Sequence, residues 1–427
     1  MNIKYTKPLL QNLNSKNNSN SNDDEEEEQQ LIHAPIIIIM SESSEATSRA
    51  LTMEELTSLR CKAKELLDGL TPPAISNNTH SHESWLRGTV SIRCDDYQVS
   101  ETCRFFDYHG FTLLPGFANP STVVQQLKQQ MADLTEAWDP EQNTMSFATD
   151  AKANESQGSD DYFLESASRV HFFAESHALD DKTNKLKPYY ADNKLAALCK
   201  AGHGLHMIPG PFHTYTTSNQ VKQLVAELGW KDPVVPQSMY ICKNPKIGTT
   251  CHSHQDSTFL FTEPKQSCLG LWLALDDATL ENGCLWVRPK SHWESVRRQF
   301  KRNAHHFGQE AIQNVSNVGR GNLEAPKMVF ETLQPESTIP WEGTLPDGSE
   351  PPCQGLLKAG FIPIECKAGD LLAFCGELDH FSLPNYSDSQ RHTFQLHLVE
   401  GSGQGIMWSK SNWLQYPKGV DFLSIKI

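Results

Sequence analysis

The sequence lacks three features that would each point to a class of protein. No apolar segment approaches the roughly 20 residues of a membrane span, and the longest such run near the N-terminus covers only residues 34–40. No block of Lys and Arg is present, and the net charge of −15 would repel a phosphate backbone. None of the eleven cysteines forms a C-x-x-C pair, as a structural zinc site would need. We therefore expect no membrane span, no nucleic-acid partner and no structural zinc.

The composition instead favours a globular protein. Hydrophobic residues make up 38% of the 427 residues and charged residues 21%, which leaves enough apolar material for a core. Neither a secretory signal nor the C-terminal peroxisomal tripeptide is recognisable, so we expect a cytoplasmic protein with reduced thiols. The sequence leaves the oligomeric state open.

Three regions differ in composition along the chain. Residues 1–50 are polar and acidic, and we expect them to form a disordered tail. Residues 51–99 are expected to form a helix and a linker, because Thr52 and Glu55 match a capping box and a Pro-, Asn- and Ser-rich stretch follows. The main domain is expected at residues 100–420.

Short β-rich runs bounded by turn residues dominate the main domain after residue 166. The predicted strands are 169–173, 234–242, 258–261, 269–275, 284–287, 361–365, 370–374 and 393–399. The predicted helices are 100–108, 121–138, 193–206 and 219–229. This pattern is typical of an antiparallel sandwich or barrel. Residues 295–357 are interpreted as a long insertion between strands, either a functional lid or a disordered segment.

A polar cluster within this β-rich region reads CHSHQD at residues 251–256. On an extended segment His254 and Asp256 point to the same side, because side chains alternate with a period of two. A distant histidine, His380, follows an apolar run and would supply a third ligand. Two histidines and a carboxylate form the facial triad of non-haem Fe(II) oxygenases. The residues alone leave a second interpretation open, in which His254 faces solvent on a loop and His380 bonds a carbonyl in a turn.

A longer motif follows the H-x-D pair. Residues 269–292 read LGLWLALDDATLENGCLWVRPKSH, and this string resembles the phytanoyl-CoA dioxygenase family, whose members carry a D-A-T-x-E-N-G-C-L turn and a P-x-S-H close soon after H-x-D. The resemblance continues at residues 369–398 and upstream at 110–117 and 200–206, so it spans roughly residues 100–415. The chain is similar to the phytanoyl-CoA dioxygenase domain-containing branch of this family rather than to the enzyme that hydroxylates phytanoyl-CoA itself.

The resemblance implies a mainly β fold with flanking helices. This fold is the double-stranded β-helix, a cupin-like jelly-roll, of Fe(II)/2-oxoglutarate dioxygenases. The resemblance also implies that His254, Asp256 and His380 are the catalytic centre and hold Fe(2+). The implied cosubstrates are 2-oxoglutarate and O2, with ascorbate in a supporting role.

For the cosubstrate, the resemblance assigns Arg391, eleven residues after His380, to the C5 carboxylate of 2-oxoglutarate. A guanidinium fork matches the geometry of a carboxylate, and a buried dicarboxylate requires a fixed cation. Ser382 corresponds to a hydroxyl that assists this arginine. The remaining cosubstrate contacts that the resemblance implies are Trp272, Met239 and Lys200. For Trp272 and Met239, a plain core position is the open alternative.

The expected function is hydroxylation of an unidentified small or lipid-like molecule, with release of succinate and CO2. One alternative is a catalytically silent relative that binds 2-oxoglutarate or metal as a sensor or scaffold. Another is a cupin-type dioxygenase that does not use 2-oxoglutarate. The intact triad disfavours the first and Arg391 disfavours the second. The family's substrate cannot be carried over, because residues 300–357 are longer than in relatives and this part of the fold usually contacts substrate.

Three further clusters are given a structural interpretation. The basic run at residues 297–302 is expected to form a solvated helix face, with an anionic substrate as its alternative partner. His203 and His206 are expected to share one face of the helix predicted at 193–206. The pair of histidines at 305–306 is expected to be solvated.

Overall fold

Short β-strands dominate the chain, as the sequence predicts. The computed structural model describes residues 49–71, 100–140, 145–147, 157–180, 182–315, 318–335 and 339–427. The strands are β1 (Phe111–Leu114), β2 (Met145–Ser146), β3 (Val170–Ala174), β4 (Leu198–His203), β5 (Pro233–Lys243), β6 (Cys251–His254), β7 (Thr262–Glu263), β8 (Leu269–Ala274), β9 (Leu285–Val287), β10 (Arg298–Arg302), β11 (Met328–Thr332), β12 (Ile362–Ile364), β13 (Leu371–Cys375), β14 (His380–Ser382), β15 (Arg391–Glu400), β16 (Met407–Trp408) and β17 (Leu423–Ser424).

Helices flank these strands and lie mostly in the N-terminal half. They are α1 (Met53–Asp68), α2 (Glu101–His109), α3 (Gln125–Glu136), α4 (Asp161–Glu165), α5 (Pro188–Ala191), α6 (Lys194–Ala197), α7 (Pro211–Thr216), α8 (Asn219–Glu227), α9 (Ala304–Phe307), α10 (Gln309–Gln313) and α11 (Gln354–Lys358). None of the helices in the described ranges combines the length and the apolarity that a membrane crossing requires.

Two sheets form the jelly-roll. The larger one has the strand order β1–β13–β8–β15–β5–β4–β3–β2, and β17 also pairs with β5. The smaller one has the order β12–β9–β14–β6. Every strand pair in the two sheets is antiparallel except β2 with β3. The predicted double-stranded β-helix is therefore the observed fold.

Alternation along the strands gives the larger sheet two different faces. On β8, Leu271 and Leu273 belong to one core together with residues of α3, α7 and α8. Trp272 points the other way and joins a second core with Trp286 and Phe381 of the smaller sheet. The functional cavity described below opens on this second face.

Helix α1 begins as the capping box predicts. Thr52 Oγ1 accepts from the Glu55 backbone N–H, and the Glu55 carboxylate accepts from the Thr52 N–H at 2.8 Å. Arg60 of α1 donates to Glu365 at 2.9 and 2.8 Å and to Glu281 at 2.8 Å. The helix is thereby joined to the strand β12 region and to the turn before β9. Residues 1–48 of the predicted tail and residues 72–99 of the predicted linker lie outside the described residues.

Two predicted elements are wrong. The helix expected at 193–206 stops after one turn, α6, and the chain continues as β4 because Lys200 pairs with Ile241 of β5. The strand expected at 258–261 is absent from the described residues, where a short 3-10 turn at Asp256–Thr258 takes its place. At β4 pairing with a distant strand overrides the local preference, whereas at 256–260 local hydrogen bonds to the carbonyls of Gln255 and Asp256 close a turn.

Candidate active site

Two neighbouring strands of the smaller sheet bring the predicted ligands together. β14 pairs with β6 so that His380 lies opposite His254, and their ring centroids are 4.3 Å apart. Asp256 follows β6 at the start of a 3-10 turn. Its Oδ1 lies 3.4 Å from His254 Nε2 and 3.7 Å from His380 Nε2. The ligand atoms of the three residues all lie within 4.8 Å of one another, so the group could hold one metal ion.

Backbone carbonyls fix the ring nitrogen that each histidine offers. His254 Nδ1 lies 2.7 Å from the His252 carbonyl, and His380 Nδ1 lies 2.9 Å from the Leu378 carbonyl. A neutral imidazole that donates from Nδ1 carries its lone pair on Nε2. Both histidines therefore present Nε2 towards Asp256, in the tautomer that a metal ligand needs.

A third histidine fixes the carboxylate. His397 Nε2 lies 2.9 Å from Asp256 Oδ2, and Gln237 Nε2 lies 3.1 Å from His397 Nδ1. Since the amide nitrogen can only donate, His397 accepts at Nδ1 and donates from Nε2 to Asp256. Oδ2 is thereby occupied and Oδ1 is left to face His254 and His380.

Electrostatics favour the ligating forms of Asp256 and His380 but the protonated form of His254. Burial alone would raise the pKa of Asp256, but the neighbouring His397, His380 and His254 hold that pKa well below its ordinary value. Burial, with the charge of His254, lowers the pKa of His380 to about 4. Burial disfavours a positive charge on His254 as well, but the neighbouring Cys251 and Asp256 outweigh the effect of burial and raise the pKa of His254 to about 10. A metal ion would therefore displace a proton from His254 on binding.

One cavity, of about 1280 Å³ including its open mouth, contains the triad and every predicted cosubstrate residue. The cosubstrate residues on its wall are Arg391, Ser382, Trp272, Met239 and Lys200. Strand register explains part of this clustering. Gln395 of β15 lies opposite Met239 on one neighbouring strand and opposite Trp272 on the other.

Arg391 is a buried cation with an unpaired donor. Its side chain is 2% exposed, its guanidinium lies 5.6 Å from the Trp272 ring centroid, and its Nε has no hydrogen-bond partner among the described residues. Burial lowers its pKa to about 10, so it stays charged at neutral pH. A buried donor without a partner is costly, and an incoming carboxylate would satisfy it.

Lys200 is a second buried cation on the cavity wall. Its side chain is 2% exposed, and Nζ lies 3.3 Å from the Phe147 ring centroid and 3.2 Å from His203 Nε2. His203 Nδ1 lies 2.7 Å from Ser166 Oγ, which itself donates to the Phe163 carbonyl. His203 therefore donates to Ser166 and accepts from Lys200. Burial lowers the pKa of Lys200 to about 7.

Sequence reasoning missed His397, which bonds the Asp256 carboxylate, and Glu175, which lines the cavity. His397 carries a signal that could have found it, because it lies six residues after Arg391 on the same strand and therefore on the same face. Glu175 gives no such signal, since it follows β3 far from any motif. Its buried carboxylate lines the cavity beside Thr249, Cys199 and Lys243.

The predictions for the lesser clusters are wrong except for His305, which is exposed as expected. His203 and His206 do not share a helix face, because His203 ends β4 and His206 lies in a following 3-10 turn. The basic run at 297–302 is a strand, β10, preceded by Arg297, and Arg297 and Arg302 are both buried. His306 is also buried, and its Nδ1 lies 2.7 Å from the Ala325 carbonyl.

Comparison with known sequences decides the family. The profile of the phytanoyl-CoA dioxygenase (PhyH) family matches residues 106–393. The chain belongs to the phytanoyl-CoA dioxygenase family. This membership supports the general reaction class, a dioxygenase, and confirms the resemblance carried by the motif at 269–292. It does not identify a substrate.

Individual relatives agree with this assignment. Phytanoyl-CoA dioxygenase from Arabidopsis thaliana is 34% identical over 314 residues, which cover 74% of this chain and 92% of the relative. Phytanoyl-CoA dioxygenase domain-containing protein 1 from Mus musculus is 36% identical over 312 residues, 73% of this chain and 92% of the relative. Among solved structures, EctD from S. alaskensis with 2-oxoglutarate and 5-hydroxyectoine overlaps with a TM-score of 0.43 at 14% identity, over 74% of this chain and 80% of that one. An overlap at that score adds nothing to the assignment.

Proposed function

We propose that this member of the phytanoyl-CoA dioxygenase family is an Fe(II)- and 2-oxoglutarate-dependent hydroxylase of an unidentified small or lipid-like substrate, releasing succinate and CO2. One observation carries the proposal. The metal-binding atoms of His254, Asp256 and His380 lie close together in one cavity. The same cavity contains Arg391, whose Nε has no hydrogen-bond partner among the described residues. The three ligand atoms fit a metal ion, and the arginine fits a carboxylate of the cosubstrate.

The donor set fits iron. Two imidazoles and one carboxylate leave coordination positions open for cosubstrate and O2, as in non-haem Fe(II) oxygenases. His397 holds the Asp256 carboxylate in the orientation that leaves Oδ1 for the metal. Iron bound there would supply the activation of O2 that couples oxidative decarboxylation of 2-oxoglutarate to hydroxylation of the substrate.

The chain's own residues would bind and orient the cosubstrate. Arg391 would receive the far carboxylate of 2-oxoglutarate, and the Ser382 hydroxyl would assist it. Trp272 and Met239 would wall the bound molecule and exclude water. Lys200 would add a second positive charge, and the arrival of an anion would raise its pKa from about 7 towards its ordinary value.

The rest of the cavity wall fits an apolar substrate. Phe259 lies 6.0 Å from His254 between ring centroids, and Phe300 lies 5.7 Å from Phe259. Both line the cavity, together with Trp413 and Leu260. Pockets for small apolar ligands are lined mainly by aromatic and aliphatic side chains, with a few polar groups that fix orientation, and here Arg298 and Glu175 are among the polar groups. This wall supports the lipid-like part of the proposal.

Succinate formation tests the proposal without knowledge of the substrate. Purified protein is incubated with Fe(II), 2-oxoglutarate and ascorbate under air, beside Asp256→Ala. Succinate from the wild type alone would support the reaction class. If the wild type binds 2-oxoglutarate but forms no succinate with any candidate substrate, the silent sensor or scaffold is favoured. Absence of both metal and cosubstrate binding would overturn the proposal.

A further inference from the structure

A cluster of three arginines and three carboxylates lies beside the metal ligands and is not used by the proposed reaction. Its members are Arg288, Arg297, Arg298, Glu294, Glu342 and Asp379. Asp379 directly precedes His380 and is fully buried. Its carboxylate accepts from both Arg288 and Arg297. The cluster therefore acts on the segment that carries one of the proposed ligands.

Arg297 also reaches the segment that carries the other two ligands. Its backbone N–H donates to the Gln255 side-chain oxygen at 3.1 Å. Gln255 lies between His254 and Asp256, is fully buried, and donates from Nε2 to the Glu377 carbonyl at 2.9 Å. Arg297 thus bonds the residue between His254 and Asp256 through its backbone, and the residue before His380 through its side chain.

Arg297 also forms hydrogen bonds with the β10–β11 ribbon, the two-stranded sheet whose first strand begins at Arg298. The Arg297 carbonyl accepts from the N–H groups of Leu333 and Gln334 at 2.8 and 3.1 Å, just beyond the end of β11. Its guanidinium donates from Nε to Glu342 at 2.9 Å. Next to Glu342, the Gly343 N–H donates to the Ser253 carbonyl on β6 at 2.8 Å. The segment expected as an insertion is therefore bonded to the metal-binding strand.

The ribbon forms part of the substrate side of the cavity. Arg298 and Phe300 are two residues apart on β10, so their side chains lie on the same face of the strand, and both line the cavity. Phe330 of β11 packs against Phe300 with ring centroids 4.9 Å apart. Phe300 contacts Phe259, which contacts the ring of His254. Order in the ribbon and order at the metal ligands are linked by packing as well as by hydrogen bonds.

We infer that Arg297 is a positioning residue that couples the β10–β11 ribbon to the metal centre, so that metal binding and ribbon order stabilise each other. The inference rests on the proposed function only in taking His254, Asp256 and His380 as metal ligands. Coupling of this kind is reciprocal, since each event must change the free energy of the other by the same amount. Residues that orient metal ligands from behind typically change metal affinity by roughly 10- to 100-fold when they are replaced.

Mn(II) is a suitable probe, because its binding can be followed by electron paramagnetic resonance without turnover. Arg297→Met is expected to weaken Mn(II) binding by roughly 10- to 100-fold and to change the spectrum of the bound ion. Lys301→Met is the matched control: it removes a positive charge from the same strand, but Lys301 does not line the cavity and pairs only across the ribbon with the half-exposed Glu331, an ion pair of little energetic weight. Its Mn(II) affinity should equal that of the wild type.

Hydrogen exchange tests the reverse direction of the coupling. Mn(II) should slow amide exchange at residues 298–302 and 328–332 in the wild type and in Lys301→Met, and should lose this effect in Arg297→Met. Wild-type affinity and spectrum in Arg297→Met would overturn the inference, even if the variant melts at a lower temperature. Equal losses of affinity in Arg297→Met and Lys301→Met would overturn it too, because they would report general destabilisation.

A second variant covers a failure of Arg297→Met to fold. Arg297→Lys keeps a positive charge for the buried Asp379 and Glu342 but loses the fork that reaches both at once. It is expected to bind Mn(II) with an affinity between those of the wild type and the methionine variant, and wild-type affinity would overturn the inference. If the wild type itself does not bind Mn(II), the proposed metal site is wrong, and that outcome is distinct from failure of the coupling alone.

Discussion

His397 Nε2 lies 2.9 Å from Asp256 Oδ2, and this contact determines which carboxylate oxygen faces the other two ligands. Without it, either oxygen could turn towards His254 and His380. The two residues come from different sheets, β15 in the larger one and the turn after β6 in the smaller one. The contact therefore links the position of the proposed metal ligand to the packing of the two sheets.

Replacement of His397 should weaken metal binding. His397→Phe leaves Asp256 Oδ2 buried without a donor, and we expect Mn(II) affinity to fall by roughly 10- to 100-fold. His397→Gln, which can still donate from its amide, should recover part of the loss. Electron paramagnetic resonance titration measures both. If neither variant differs from the wild type, the orientation of Asp256 does not depend on His397.

Replacement of Arg391 should weaken 2-oxoglutarate binding without loss of metal. Charge-assisted hydrogen bonds contribute about 1.5–3 kcal/mol each, so Arg391→Met should raise the KM for 2-oxoglutarate roughly 10- to 100-fold. Arg391→Lys, which keeps the charge but not the fork, should have a smaller effect. Isothermal titration with Mn(II)-loaded protein gives the affinities directly. An unchanged 2-oxoglutarate affinity in Arg391→Met would favour a cupin-type enzyme that does not use this cosubstrate.

Replacement of Lys200 should weaken 2-oxoglutarate binding without lowering the stability of the protein. Among the described residues its recorded partners are His203 and aromatic rings, and no carboxylate balances its charge. A buried charge without an opposite charge is costly, and an apolar side chain of similar volume removes that cost. We therefore expect Lys200→Met to melt at the wild-type temperature or above while its 2-oxoglutarate affinity falls about 10-fold, as loss of one ionic contact would give. Lower stability with unchanged affinity would contradict this, and thermal melts and titration on the same preparation distinguish the outcomes.

Much of the architecture could be predicted because its signals are local. The capping box at Thr52, the alternation in the β-rich runs and the H-x-D pair each depend on a few adjacent residues. The motif at 269–292 placed β8 and β9 correctly for the same reason.

The errors come from contacts between distant parts of the chain. Lys200 lies on a strand because β5 pairs with it, although the preceding residues favour a helix. The run at 297–302 looked like an exposed basic face because its counter-charges, Glu342 and Asp379, are far away in sequence. His397 was missed because its partner Asp256 is 141 residues away. No local pattern reports such pairings.

Glu175 should make stability depend on pH. Its side chain is 1% exposed, and burial outweighs the charge of Lys243 and raises its pKa from 4.5 to about 7. Between these values the unfolded chain loses the proton first, so the free energy of unfolding falls as pH rises, and the loss is complete above about pH 7. At ~1.4 kcal/mol for each pH unit, the penalty amounts to about 3 kcal/mol.

Glu175→Gln removes this titration, so the variant should gain up to about 3 kcal/mol in free energy of unfolding over the wild type between pH 5 and pH 8. Urea unfolding at the two pH values measures this gain. Glu136→Gln, at an exposed position on α3, is the control whose difference from the wild type should be the same at both. An equally constant difference for Glu175→Gln would show that the buried carboxylate does not titrate in this range.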